Sequence, residues 1–159
     1  MRNEVNFTIR PLFSYDKPAV EELEAAWEEE EGFFSGLSEM MPADARDDEF
    51  TNMENAYGYG LFIDDVLVSM CSMGYADGVC SPDAKYDDVL LSDVFTRKEY
   101  RGNGYASTLV RKVVEVYQET SIFLSIMSDD LAGFYNQFGF EMLDAEYGLM
   151  KREKTSRAA

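Results

Sequence analysis

The spacing of hydrophobic residues along the chain predicts an alternation of strands and helices. After Asp16 and Pro18, residue types that favour the start of a helix, apolar residues recur at intervals of three and four up to about Glu31. These apolar positions are Val20, Leu23 and Trp27. The pattern predicts a first helix that ends near Glu31 and turns one face to a core.

Seven short apolar runs predict strands. They cover residues 5–12, 57–63, 66–73, 89–96, 122–127, 140–143 and 147–152. Asp64 and Asp65 separate the second run from the third and predict a β-hairpin. A polar segment over residues 74–87, rich in Gly and Asp, predicts a long loop. The run 89–96 is almost continuously apolar, which predicts burial on both faces.

Three further helices complete the predicted elements. A weak helical pattern follows Pro42 as far as about Asn55, and an amphipathic one follows the fourth strand. A short helix is predicted between Ser128, a residue type that caps helix N-termini, and Gly139, which ends it. The 159 residues, 46% of them apolar, are sufficient for one α/β (α+β) domain. We expect this domain to span residues 1–152, with a frayed tail at 153–159.

Composition and charge exclude several classes of function. The sequence has no histidine, so no metal site is expected, and any general base must be a carboxylate or water. The net charge of −17 argues against binding to nucleic acid or to an anionic membrane. The polar N-terminus and the lack of a long apolar run predict neither a signal peptide nor a membrane span, and hence a cytoplasmic protein. Cys71 and Cys80 are interpreted as small buried thiols without a function.

The basic residues are concentrated in one window of the chain. Residues 97–112 hold five cations and one acid, so this window has a charge of +4 while the remainder carries −21. The cations are Arg97, Lys98, Arg101, Arg111 and Lys112. An ordinary helix with basic ends would give the same count, but these cations surround a glycine-bearing loop. Their clustering favours a site for a polyphosphate.

The glycine-bearing loop leads directly into the third predicted helix. It reads Arg101, Gly102, Asn103, Gly104, Tyr105, Ala106. Backbone N–H groups at the start of a helix have no partner within the helix and can bind an anion. The loop is not a dinucleotide fingerprint, because Ser107 stands where a third glycine is required, and it lacks the Gly-Lys-Ser/Thr of a P-loop. It therefore predicts a phosphate-bearing ligand of another kind.

Two motifs resemble those of the GNAT acyltransferase superfamily. The pattern Arg101-x-x-Gly104-x-Ala106 is similar to the Q/R-x-x-G-x-G/A loop with which that family binds the pyrophosphate of acyl-CoA. Downstream, the run from Phe134 to Phe140 resembles the family signature F/L-Y-x-x-F/L-G-F, at the expected distance from the loop. The resemblance covers about residues 57–152. It implies the GNAT fold, a mixed and mostly antiparallel central sheet of six to seven strands flanked by about four helices.

The resemblance also implies an acetyl-CoA site between the fourth and fifth strands. The fourth strand would bond to the pantetheine arm through its main chain, as an added strand does. The amides of about residues 103–106 would hold the pyrophosphate, with Arg101 as a charged donor. Many relatives place Asn before the fourth helix, where this chain has Ser128, so no amide contact is carried over to that position. The residues expected to contact the coenzyme are Val94, Phe95, Thr96, Arg101, Gly102, Asn103, Gly104, Tyr105 and Ala106.

Two residues are candidates for proton transfer during acyl transfer to an amine. Asp93 lies in an otherwise apolar strand, where many relatives carry an acidic residue, and burial is expected to raise the pKa of its carboxyl group. It would act as a base through water, or else be a structural residue bound by backbone donors. Tyr135 matches the tyrosine that in the family protonates the departing thiolate. The alternative is that Tyr135 only completes the apolar face of the fourth helix.

The acceptor is expected to be a primary amine. In the family, the segment that contains Phe33 and Phe34 lines the acceptor pocket, so these two residues are expected to contact substrate. Residues 28–31 are four consecutive glutamates, which form either a solvated helix face or an acidic rim that attracts a cationic acceptor. The acidic rim favours a cationic small molecule as the acceptor. A protein lysine or N-terminus, which carries the same charge, is the alternative, and the sequence does not decide between a monomer and a homodimer. A catalytically silent acyl-CoA-binding module and a nucleotide-binding domain without CoA specificity are the alternatives.

Overall fold

The computed structural model describes residues 6–32, 35–41, 56–76, 84–85 and 87–155. These residues form seven strands and four helices. The strands are β1 (Thr8–Pro11), β2 (Gly58–Ile63), β3 (Val66–Tyr75), β4 (Val89–Thr96), β5 (Ile122–Ser125), β6 (Glu141–Asp144) and β7 (Leu149–Arg152). The helices are α1 (Lys17–Glu31), α2 (Leu37–Met40), α3 (Tyr105–Val116) and α4 (Ala132–Asn136).

The strands form a mixed sheet in the order β1-β2-β3-β4-β5-β7-β6. The pairs β1/β2, β2/β3, β5/β7 and β6/β7 are antiparallel, whereas β4 and β5 are parallel. The predicted mixed sheet with its helices is thereby confirmed. So is the predicted hairpin, because Asp64 and Asp65 have φ angles of 49° and 64°, the positive values that a tight two-residue turn between twisted strands requires.

The chain divides into two compact units. The first consists of Met1–Ser72 and Asp93–Leu109, and the second of Met73–Ser92 and Val110–Ala159. The strands β3 and β4 and the helix α3 contribute residues to both units.

The core of the first unit forms where α1 packs on strands. The predicted face of α1 is confirmed, since Val20, Leu23 and Trp27 are all buried. The ring of Trp27 stacks on that of Phe95 with 4.8 Å between centroids. Full burial of such side chains contributes about 1.5–3 kcal/mol each. The same cluster includes Leu12, Leu37, Met41, Phe62, Leu67 and Met70.

The second unit contains the parallel ladder of the sheet. Its two residue pairs are Val89 with Ile122 and Leu90 with Phe123. Leu91 and Leu124 extend the two strands beyond this ladder, and both are buried. A parallel ladder of two pairs is short, since strands usually run five or six residues.

Several boundaries differ from those predicted. β3 continues to Tyr75, two residues beyond the predicted end, and β5 stops at Ser125, two residues before it. The predicted burial of β4 on both faces is wrong for its middle, where residues 92–94 are half-buried. The predicted helix at 42–55 lies outside the described residues, as does Cys80. Burial raises the pKa of the Cys71 thiol to about 12, which fits an inert buried thiol.

Helices long and apolar enough to cross a bilayer do not occur in the described ranges of the chain.

Candidate active site

Asp93 has an unusual backbone conformation in the middle of β4. Its φ angle is 55°, in the left-handed region, which non-glycine residues seldom adopt. Asp and Asn tolerate this region better than other residues do, because their short polar side chains bond locally. The sequence pattern gave no sign of this interruption of an extended strand. Left-handed residues of this kind often occur at functional sites.

The carboxylate of Asp93 lies in a half-buried environment with polar and acidic neighbours. The Ser72 hydroxyl donates a hydrogen bond to Asp93 Oδ2 over 3.1 Å. Burial raises the pKa of the Asp93 carboxyl group above its usual value, while hydrogen bonds from Ser72 and Ser35 oppose the rise and the negative charge of Glu24 adds to it. The direction of the pKa shift agrees with the expectation from burial.

The end of β4 is anchored by side chains of its own unit. Ser69 donates to the carbonyl of Phe95 over 3.1 Å and lies 2.8 Å from the Thr96 hydroxyl. Phe95 is buried in the core, so its side chain is not available to a ligand. The Thr96 carbonyl accepts a hydrogen bond from Arg101 Nε over 3.0 Å. Val94 is half-buried. The main-chain contact of this strand segment with the pantetheine arm stays a prediction.

The loop between β4 and α3 contains two glycines that need a left-handed backbone. Gly102 has φ 83° and Gly104 has φ 79°, and a Cβ at either position would meet nothing within 4 Å. The glycines are thus explained by the turn itself, since only residues without a Cβ adopt such angles freely. Asn103 folds back on the loop, because its side-chain amide donates to the Tyr100 carbonyl over 2.9 Å.

The glycine-bearing loop is followed directly by the N-terminus of α3. Thr108 N–H bonds to the Gly104 carbonyl over 3.0 Å, which is the first bond of the helix. The amides of Tyr105, Ala106 and Ser107 precede that bond, and amides at these positions have no acceptor within a helix. The Tyr105 ring packs near Tyr100 in a cluster with residues of β2 and β3. This packing fixes the start of α3 and leaves its main chain as the part that can bind an anion.

Arg101 already has a partner in this structure. Its guanidinium donates two parallel hydrogen bonds to the carboxylate of Glu30 on α1, one of them from Nη2 to Oε2 over 2.8 Å. It also lies over the Phe95 ring, 5.3 Å from the centroid. The phosphate contact expected of Arg101 stays a prediction, and the ligand would have to share or replace the carboxylate.

The basic window is partly neutralised by α1. Arg97 forms an ion pair with Glu22 over 2.9 Å, and its Nε donates to the Leu67 carbonyl over 2.7 Å. The acidic face of α1 is therefore not only a solvated surface, because two of its glutamates bind arginines that flank the loop.

Tyr135 lies in α4, in the second unit, among aromatic rings. Its ring makes edge contacts with Phe134 at 4.9 Å and with Phe140 at 5.9 Å between centroids. It is half-buried. Ser128 caps the 3-10 turn (Asp129–Leu131) that precedes α4, because its hydroxyl accepts a hydrogen bond from the Asp130 N–H over 3.4 Å. Tyr135 thus combines a packed ring with a hydroxyl, and its role in proton transfer stays a prediction.

The remaining predicted contacts concern substrate and metal. Phe33 and Phe34 lie outside the described residues. Within the parts of the chain that the structure covers, no group of three or more His, Cys, Asp or Glu side chains could hold a metal ion.

Comparison with known proteins identifies the family. A model described as the acetyltransferase (GNAT) family matches residues 20–140, and the chain belongs to this family. No curated protein matches it.

Solved structures share the fold. A GNAT family acetyltransferase from Brucella melitensis in complex with acetyl-CoA is 15% identical, with a TM-score of 0.66 over 98% of this chain and 93% of that one. The PaiA N-acetyltransferase from Thermoplasma acidophilum in complex with coenzyme A is 16% identical, with a TM-score of 0.63 over 93% and 99%. The ribosomal-protein-S18-alanine N-acetyltransferase from Escherichia coli is 13% identical, with a TM-score of 0.65 over 96% and 97%. The predicted GNAT fold is confirmed.

Sequence reasoning missed several residues around Asp93 and Arg101. Ser69 and Ser72 are polar residues within the otherwise apolar run of β3. Their polarity in a buried strand is the signal from which their hydrogen bonds to β4 could have been predicted. Glu30 gives no such signal, because it lies 71 positions from Arg101 and is one of many glutamates in α1.

Proposed function

We propose that the chain is an acetyl-CoA-dependent N-acetyltransferase that acts on the primary amine of a cationic small molecule. The observation that carries the proposal is the loop from Arg101 to Ala106, where two left-handed glycines lead into a helix whose first amides can bind a diphosphate. Membership of the acetyltransferase family supports it. Two solved structures of the same fold that contain acetyl-CoA or coenzyme A support the choice of ligand.

In this proposal the coenzyme is bound mainly by main-chain atoms. The amides of Tyr105, Ala106 and Ser107 bind the diphosphate, and the dipole of α3, a helix of 12 residues, adds to the attraction. Main-chain groups of Val94 and Thr96 bind the pantetheine arm. The Thr96 carbonyl can do so while bonded to Arg101, since a carbonyl oxygen has two lone pairs.

Substitutions of Gly104 test the loop. We expect Gly104→Val to weaken coenzyme binding about tenfold or more, because a β-branched residue at positive φ costs of order 1–3 kcal/mol. Gly104→Asn is the matched control, since Asn also adds a side chain but tolerates the left-handed region. Calorimetric titration with acetyl-CoA measures both variants. Equal losses in the two variants would mean that the backbone angle is not what binding requires.

Acetyl transfer requires a neutral amine. An alkyl amine with a pKa near ~10.4 costs about 4–5 kcal/mol to deprotonate at neutral pH. In the proposed reaction the ammonium first loses one proton to water, and the neutral amine nitrogen bonds to the thioester carbon as the C=O double bond opens. The second proton of the nitrogen then passes through water to Asp93. The raised pKa of this carboxyl group makes it a stronger base than an exposed one. The carbonyl re-forms as the C–S bond breaks, and the thiolate takes a proton from the Tyr135 hydroxyl, since a phenol and a thiol differ by only about 1.5 pKa units in model compounds. Proton exchange with water then restores Asp93 and Tyr135.

The neighbours of Asp93 should shift the pH dependence in opposite directions. Ser72→Ala removes a hydrogen bond that lowers the pKa of Asp93, so the acidic limb of kcat/KM is expected to move to higher pH. Glu24→Gln removes a negative charge that raises this pKa, so the limb is expected to move to lower pH. Rate profiles over pH with one amine acceptor measure both. Shifts in the same direction would contradict the assignment of Asp93 as the base.

The acceptor class is inferred from charge. Helix α1 keeps exposed glutamates besides the two that bind arginines, and acidic groups attract an ammonium. A protein lysine or N-terminus carries the same charge. The ribosomal-protein-S18-alanine N-acetyltransferase from Escherichia coli, whose name gives a protein acceptor, shares this fold. Charge does not separate the two classes. A small molecule is the first candidate of this proposal, and the acceptor panel described next decides between them.

The proposed function is tested by release of the coenzyme thiol. The chain is incubated with acetyl-CoA and a panel of polyamines, amino sugars, amino acid amides and short peptides, and acetylated products are identified by mass spectrometry. We expect release only when a cationic small amine is present. Acetylation of peptides alone would contradict the small-molecule acceptor.

A non-catalytic acyl-CoA-binding module is the rival function. It shares the loop and the helix N-terminus, so coenzyme binding does not separate the two functions. Binding of acetyl-CoA without transfer to any amine of the panel would favour the rival.

A further inference from the structure

Glu30 and Arg101 form an ion pair at the junction between α1 and the glycine-bearing loop. The two parallel hydrogen bonds occupy both terminal nitrogens of the guanidinium. The side chain of Arg101 is 39% exposed and that of Glu30 is 28% exposed. The hydrogen bond with Arg101 lowers the pKa of Glu30, so this carboxylate is ionised at any ordinary working pH.

Packing fixes both members of this pair. Arg101 is held by the Thr96 carbonyl and lies over the Phe95 ring. The Phe95 ring stacks on Trp27, which lies one helical turn before Glu30 on α1. The last turn of α1 is therefore positioned by the core and not by the ion pair alone. The two charges therefore face each other in this structure.

A carboxylate and a phosphate bind a guanidinium in the same way. Both accept two parallel hydrogen bonds from its paired N–H groups, and both are anions. The edge of Arg101 that would bind a phosphate oxygen pair is the edge that Glu30 occupies.

We propose that Glu30 is a built-in competitor of the coenzyme: it binds Arg101 in the coenzyme-free chain, gives way to the diphosphate, and thereby sets the coenzyme affinity. The inference rests on the proposed function, because it requires that Arg101 contacts the diphosphate. The diphosphate prevails because it carries more charge than one carboxylate and is also bound by the amides at the start of α3. Displacing Glu30 reduces the affinity that the site would otherwise have.

The amount by which Glu30 reduces the coenzyme affinity depends on how exposed its ion pair with Arg101 is. Partly exposed ion pairs are weak, and salt screens them. Removal of the competitor is therefore expected to tighten coenzyme binding about two- to fivefold at low ionic strength, with a smaller gain at high salt.

The test compares two variants that change the net charge equally. Glu30→Gln and Glu29→Gln each remove one acid from neighbouring positions of α1, but the charges that act on Arg101 are those of Glu30, Glu31 and Glu99. Calorimetric titration with coenzyme A at fixed ionic strength gives the dissociation constants. We expect Glu30→Gln to lower the constant about two- to fivefold and Glu29→Gln to leave it nearly unchanged.

A double-mutant cycle separates competition from general electrostatics. In an Arg101→Gln background, the substitution Glu30→Gln should give no gain, because the group for which it competes is absent. Weaker binding by Glu30→Gln, equal effects in the two glutamate variants, or a gain that persists without Arg101 would each overturn the inference. If the wild-type chain binds no coenzyme, both the proposed function and this inference are wrong. If the wild type binds coenzyme but Glu30→Gln leaves the dissociation constant unchanged, only this inference is wrong.

Discussion

Asp93→Asn is expected to lower kcat/KM for amine acetylation by about 10²- to 10⁴-fold, the range that a positioned general base contributes. Asn keeps the size of the side chain, tolerates the left-handed backbone at this position and can accept the hydrogen bond from Ser72. The substitution therefore removes the base and little else. Coenzyme affinity, measured by titration, should stay nearly unchanged.

Thermal stability provides the control for Asp93→Asn. At neutral pH the substitution is expected to raise the stability of the fold while it lowers the activity. Burial raises the folded-state pKa of Asp93 above the unfolded value of about 3.9, so its protonated form stabilises the fold. This contribution is fully present below about pH 3.9 and is lost as the pH rises through the raised pKa. Above that pKa the ionised carboxylate lowers stability, and Asp93→Asn should then have the higher Tm. A variant that is inactive and also less stable at every pH would show that Asp93 has a structural role instead.

Tyr135→Phe is expected to lower kcat by about 10²-fold, the lower end of the effect of a general acid. The lower end applies because a thiolate is already a fair leaving group, with a conjugate-acid pKa near ~8.5. Phe keeps the edge contacts with Phe134 and Phe140, so the packing around α4 should persist. Steady-state rates with saturating acetyl-CoA measure the effect, and KM for acetyl-CoA should change little.

Tyr147→Phe is the matched control for Tyr135, because it removes a phenol from a side chain that is 71% exposed. It should not affect kcat. If Tyr135→Phe is as active as the wild type, the hydroxyl takes no part in proton transfer, and Tyr135 serves only to complete the aromatic packing.

The elements that the sequence predicted well have strong local signals. The bounds of β4 agree with the structure because an apolar run is followed directly by a charged turn. The end of α1 at Glu31 agrees because Gly32 adopts φ 69° and caps the helix with a bond to the Glu28 carbonyl over 2.7 Å. The glycine-bearing loop and the helix after it could be predicted because both glycines, which adopt positive φ, and the amphipathic pattern of α3 lie within a few residues of each other.

The features that sequence reasoning missed depend on contacts distant along the chain. The ion pair between Glu30 and Arg101 joins two elements whose approach is decided by the packing of Trp27 on Phe95. The left-handed angle of Asp93 has no local signature, because Asp93 stands within a mostly apolar run that predicts one continuous strand. For the same reason, the pKa of Asp93 could be predicted in direction from burial, but not the opposing effects of Ser72 and Glu24.

Titration of the wild-type chain with acetyl-CoA, followed by calorimetry with and without excess ATP, tests the central claim most directly. The claim is that the amides at the start of α3 and the loop before it bind the diphosphate of this coenzyme. We expect saturable binding at one site per chain, retained in the presence of ATP because the pantetheine arm adds contacts that ATP lacks. Absence of any binding, or complete displacement by ATP, would contradict it.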